Sequence, residues 1–401
     1  MNSLESNSRF ARSVAAICAV VIVSGLGFVG TARAVKPTAN PSVIVSPFVP
    51  GGLNNPRGLK FGPDGDLYVA EGGFPAAPFT VAAAGAGGLC STGGGGPGDY
   101  FGSPTGSRIL QIDTHGNVTT LVDGLPSSVT GGAPGIPPGP DPNSPTLASG
   151  VADVAFIGNT MYAIYAGAGC SHGVPGIPNQ VIRINPDGTT TKIADLSAFQ
   201  QANPVANPTD AINGDFEPDG TWYSMIAVRG ALYAVEPNHG ELDKITPDGK
   251  ISRVIDISAS QGHVVPTVVA YHGNFYVSNL GTFDPDQLNT QSVFKITPSG
   301  QLKVVATGLS KVLGLAFDSR DRLYVLDASY STSDPGPVAF SGRLIRILPN
   351  GKQEILIDAG GPLFFPTGMT FGPDGALYIS NVGFGPPPFG LGQILRVEIT
   401  D

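Results

Sequence analysis

Apolar and polar residues alternate along most of this chain with a period of two, in short runs broken by tight turns, the pattern of half-buried β-strands. The clearest runs open on an apolar residue followed by tyrosine: LYVAEGG from Leu67, MYAIYAG from Met161, LYAVEPN from Leu232, FYVSNLG from Phe275, LYVLDAS from Leu323 and LYISNVG from Leu377. Each is preceded by an apolar segment and a turn, as in GLKFGPDG at 58–65 and GMTFGPDG at 368–375, which predicts strand, turn, strand. A second hairpin follows five of the six copies, as in VIRINPDGTTTKIA and LDKITPDGKISRVI. The sixth reaches GQILRVEITD one strand short, and the unassigned segment SVIVSPFV at 42–49 supplies the missing strand. The expected fold is therefore all-β: a six-bladed β-propeller with four antiparallel strands per blade, its last blade closed by the N-terminal strand. A β-sandwich or an open solenoid leaves the strand count unexplained.

The turns within each hairpin are short, so one face of such a propeller is closely trimmed. The connections between second and third strands (72–106, 167–179, 280–291, 328–341) and the linkers 125–149 and 199–221 are longer. They lie together on the opposite face, which makes that face the expected ligand side. The glycine-rich stretch at 85–106 is not a phosphate cradle, because it lacks the following helix and the lysine that such a loop uses. It reads as a cover.

Composition adds location. Of 401 residues 13% are charged, while 56 glycines and 37 prolines favour turns and loops over long helices. Arg9 and Arg12 precede an apolar run and the sequence TARA at 31–34, the marks of a signal peptide spanning 1–34 and a mature domain spanning 35–401. The alternative is an uncleaved anchor. Removing 1–34 takes away Glu5, Arg9, Arg12 and Arg33, a net +2, so the mature chain would carry −11 rather than −9. A secreted or periplasmic monomer that binds neither nucleic acid nor, once cleaved, membrane is expected. In an oxidising compartment Cys90 and Cys170, placed in equivalent loops of adjacent blades, are expected to form a disulfide, the alternative being two free thiols.

Candidate chemistry gathers on the long-loop face. Three residues after each repeated tyrosine come Glu71, Tyr165, Glu236, Asn279, Asp327 and Asn381, an oxygen-rich set around the channel mouth. Asn279, Asp327 and Asn381 are candidate ligands for Ca2+; the other reading is that such side chains hydrogen-bond the adjoining turns. His239 follows Glu236 by three residues and His263 precedes the next blade, a set from which a general base could be built. His172 lies in a loop of the same face. Arg57 could pair with an anionic ligand or with Glu71, and Trp222 could be a stacking surface or core. Standard hydrolase motifs are absent from the sequence.

NNPRGLKFGPDGDLYVAEGG at 54–73, the glycine-rich cysteine loop after it, TGSRILQID at 105–113 and GLPS at 124–127 resemble the secreted ScyD/ScyE family, named for its association with scytonemin biosynthesis. The resemblance covers nearly all of the mature chain and implies an exported six-bladed propeller. ITPDGKI at 245–251 is shared more widely, with NHL-repeat proteins and streptogramin lyases. Gluconolactonase-like and paraoxonase-like propellers open their first blade with a Glu-Gly-Pro metal-ligand motif, whereas this chain reads Pro56-Arg57-Gly58. The expectation is a propeller that binds a small organic ligand on its long-loop face, either as an enzyme of lactonase, lyase or oxidative-coupling type or as a non-catalytic binding scaffold.

Overall fold

The inward-facing positions of the alternating runs are where apolar side chains can be buried between sheets, and that is how the chain is used. A computed structural model describes residues 41–82, 100–130, 147–208, 217–334, 336–383 and 390–401, within a unit that spans Pro41–Asp401. The signal segment and Cys90 lie outside the described residues. Among the described residues there are six antiparallel sheets, five of four strands and one of six.

The inner strands of sheets 1 to 6 are Pro56–Phe61, Val151–Ile157, Ser224–Val228, Pro266–His272, Val312–Phe317 and Gly368–Phe371. Each packs on the inner strand of the next sheet, and the sixth packs back on the first. This closed cycle is consistent with a six-bladed β-propeller. Closure in sheet 6 uses the two ends of the chain: Ser42–Leu53 pairs antiparallel with Gly392–Thr400, in register from Ser42 opposite Thr400. The strand expected at 42–49 therefore runs four residues further, with bulges beyond Pro47 that follow the curvature of the sheet.

The repeated sequence has a repeated physical purpose. Tyr68, Tyr324 and Tyr378 donate their hydroxyls to the turn carboxylates of Asp64, Asp318 and Asp374, at 2.7, 3.2 and 3.1 Å. Their rings meet a phenylalanine at or next to the end of the inner strand of the following sheet. Phe156 stands edge-on to Tyr68, Phe371 to Tyr324 and Phe61 to Tyr378, with centroids 5.0 to 5.1 Å apart. Such pairs contribute about 0.5–1.5 kcal/mol each beyond the area they bury, so the motif joins neighbouring sheets as well as shaping a hairpin.

Sheet 1 departs from the expected plan. The stretches 100–106 and 125–130, expected in long connections, extend the third and fourth strands to Tyr100–Ile112 and Val118–Thr130, and Thr80–Ala82 and Leu147–Ser149 pair onto them. Turn-forming residues such as Gly102, Pro104 and Gly106 hid the strand. Gly102 is needed there, because a Cβ would lie 2.1 Å from the His172 carbonyl oxygen of sheet 2. One linker also carries a short helix, Leu196–Ala202, capped by the Asp195 side chain. Among the described residues no helix is long and apolar enough to cross a membrane.

Candidate functional site

The second strand of each sheet ends where the long connections begin. Glu71, Glu236, Asn279, Asp327 and Asn381 are all buried at these ends, and each holds the chain entering its own sheet. Glu71 Oε1 accepts from the Asn54 amide, Asp327 Oδ1 from the Ser310 amide at 3.1 Å and Asn381 Oδ1 from the Phe364 amide at 2.9 Å. Asn279 donates to the Val264 carbonyl at 2.8 Å and accepts from the Ser292 amide. Burial pushes the Asp327 carboxyl up to about 6, against the pull of Arg343, which is ion-paired with it. The candidate calcium ligands thus have their oxygens engaged by this chain, and among the described residues no three His, Cys, Asp or Glu side chains are grouped to hold a metal ion.

Glu236 and His239 do come together, with Nδ1 3.4 Å from Oε2. Glu236 also accepts from the backbone amides of Thr221, Asn238, His239 and Gly240, so it organises the turn as well as facing the ring. Burial pulls the His239 pKa down, but Glu236, Glu241 and Asp219 more than offset it, and the net shift is upward. A raised pKa favours the protonated ring, which suits an imidazole to act as an acid more than as a base. His263 lies half-buried in the loop before sheet 4.

His172 sits in a neighbouring network. It is buried, edge-on to the Tyr100 ring at 4.5 Å, with Nε2 3.6 Å from Glu217 Oε1. Burial lowers its pKa to about 3, so the contact with Glu217 is not a charge pair near neutrality. Tyr100 donates to the same Glu217 oxygen at 3.0 Å, and Asp219 accepts from the Cys170 and Ser171 amides. Glu217, Asp219 and Tyr100 carry no signal at the level of sequence spacing. They lie 45 to 117 residues from these partners and are joined to them only by the fold.

The mouth of the channel is built by Arg57. Arg57 is 4% exposed, yet Glu71, one of its two candidate partners, is ion-paired with Arg108 instead. Arg57 Nη1 donates to the Tyr223 hydroxyl at 2.9 Å, and its guanidinium lies over that ring at 5.4 Å from the centroid. Sheets 1 and 3 are not neighbours in the ring, so this bond crosses the interior. Among the described residues no carboxylate is within ion-pair distance of Arg57. Leu280, Leu313, Phe364 and Phe365 pack with Tyr223 beside it. Lys311 is also buried, its Nζ bonded to the Thr282 carbonyl and set over the Phe283 ring; burial lowers its pKa to about 8. Trp222, a candidate stacking surface, is fully buried with Nε1 bonded to Asp243, and offers no face to a ligand.

Below this mouth the channel narrows to a cavity of about 20 Å³, lined in part by Gly58, Asp153, Ser224 and Thr367, room for about one water molecule. Asp153 is buried and accepts from Ser224 Oγ and from the Met225 and Val154 amides.

No protein-family profile and no curated protein matches the chain. Solved structures do. A putative oxidoreductase (glucose dehydrogenase) from Thermus thermophilus is 17% identical over 89% of this chain and 100% of its own, with a TM-score of 0.51. A streptogramin B lyase is 13% identical over 89% and 98%, with a TM-score of 0.45. A gluconolactonase from Xanthomonas campestris is 13% identical over 91% and 99%, with a TM-score of 0.45. At 17% identity the likeness to the first of these speaks to fold alone, that of a β-propeller.

Proposed function

We propose that this chain is an exported, ScyD/ScyE-like β-propeller that binds a small organic anion at the long-connection mouth of its channel, with Arg57 as the counter-charge. The observation that carries this reading is a buried guanidinium with no carboxylate partner among the described residues. Buried charges are ordinarily paired, because leaving one uncompensated costs several kcal/mol. Tyr223, Leu313 and Phe365 supply an apolar wall on which a ring could rest. The reading assigns Asn279, Asp327 and Asn381 to loop anchoring, and it needs no cation.

Calorimetric titration with indole-3-acetate, benzoate and gluconate tests it. At least one should bind, and Arg57→Gln should weaken that binding roughly ten- to a hundredfold, the worth of a charge-assisted hydrogen bond. Equal affinity in the variant overturns the reading.

A second reading, catalysis of lyase or lactonase type, is favoured by the His239–Glu236 contact, in which the carboxylate raises the pKa of the imidazole on the same face. If a lactone or ester among a substrate panel is turned over, His239→Gln should lower kcat while Arg57→Gln chiefly raises KM. Turnover unchanged in His239→Gln removes His239 from the chemistry, and no turnover of any panel member discards this second reading and leaves binding as the function.

A further inference from the structure

The opposite end of the channel breaks the repeat at two positions. The residues at or one before the end of the inner strands are fixed by register, each opposite the residue before a repeated tyrosine: Phe61, Phe156, Ala227, Tyr271, Phe317 and Phe371. Five are aromatic. At four boundaries the ring stands edge-on to a tyrosine of the preceding sheet, Phe317 on Tyr276 completing the set. Sheet 3 supplies only the methyl group of Ala227.

One residue earlier, opposite the tyrosines themselves, the six positions hold Lys60, Ala155, Ile226, Ala270, Ala316 and Thr370. Lys60 alone is charged. Both departures line one open depression of about 560 Å³, whose walls include Lys60, Phe61, Phe156, Ala227, Arg229 and Tyr271. That is within the size range of small-molecule sites.

Its charge is one-sided. Lys60 is half-buried and Arg229 is exposed in the turn after the sheet 3 inner strand, and among the described residues neither has a carboxylate within ion-pair distance. The carboxylate whose charge Lys60 does feel, Asp153, lies deeper and already has its three hydrogen bonds. On a chain of net charge −9, an apolar hollow whose charged lining is two cations is complementary to an anion.

We propose that this depression on the short-turn face is a second ligand site, which takes a small organic anion whose aromatic ring enters the space left at Ala227 and whose acidic group lies against Lys60 and Arg229. The site is independent of Arg57, which is at the other end of the channel.

Calorimetry with 2-naphthoate tests the proposal. The unaltered protein should bind it, and a site of unchanged affinity should persist in Arg57→Gln, whatever binds in addition at the other mouth. Ala227→Phe, which restores the missing ring, should weaken that binding by about tenfold or more, and so should the double variant Lys60→Gln/Arg229→Gln. Ala227→Phe should melt no lower than the unaltered protein if its ring joins the repeated set; if it misfolds, Ala227→Leu and the double variant decide. Failure of 2-naphthoate to bind, unchanged affinity in the folded variants, or loss of the site in Arg57→Gln overturns the proposal. The last outcome alone would return binding to the other mouth.

Discussion

Gly58 shows how a single residue sets the channel. A Cβ there would come within 2.0 Å of Asp153 Oδ1 and 2.8 Å of its backbone Cα, so only glycine lets the carboxylate of sheet 2 sit against the inner strand of sheet 1. Buried acids of this kind also set a pH dependence. Glu241 is fully buried beside Glu236 and Asp243 and is ion-paired with Arg253. Burial still pushes its pKa from 4.5 up to about 7. A carboxyl whose pKa is higher folded than unfolded favours the native state below the unfolded value, and that contribution is lost as pH rises through the folded one. Urea denaturation at pH 5 and pH 7.5 should therefore show the unaltered protein losing more stability over this interval than Glu241→Gln does; parallel behaviour would place the titration elsewhere. The sequence made some of this site legible. His239 and Glu236 meet because they stand three positions apart in one turn, whereas Arg108 takes Glu71 from across the sheet, 37 residues away, and Arg57 finds Tyr223 across the ring, 166 residues away. Spacing reads local contacts, and the mouth is made of distant ones.

Among the elements, the hairpins were readable because each carries its own turn chemistry and its own alternation. GPDG places an aspartate where the tyrosine of the next strand can bond it, so the motif specifies both strands at once. The connections were less readable. Sheet 1 gains strands from residues whose glycines and prolines favour turns, because pairing with an already ordered neighbour outweighs weak local preference. Tyr100↔Thr130 and Val81↔Phe101 are contacts of this kind. The short-turn end of the inner strands was read as plain because its loops are short. Loop length, however, does not report whether a ring is present at Ala227 or a methyl group, and that difference decides whether the surface there is filled or hollow.

At the scale of the molecule, the closed cycle of inner strands makes every sheet a neighbour of two others, so no sheet face between them is left to solvent. Threonines reinforce two of the junctions: Thr267 Oγ1 donates to the Val312 carbonyl and Thr367 Oγ1 to the Pro56 carbonyl, both at 2.6 Å. The expected Cys90–Cys170 bridge would add a covalent tie between sheets 1 and 2. Because Ser42 lies opposite Thr400 in sheet 6, the chain could enter the ring at another blade and still visit the sheets in the same cyclic order. Joining residue 401 to residue 42 through a short glycine-serine linker and opening the backbone at the exposed Pro298–Ser299 turn should yield a circular permutant with the parent circular-dichroism spectrum and a similar melting temperature. A permutant that fails to fold would mean that assembly depends on where synthesis starts, and not only on which strands finally adjoin.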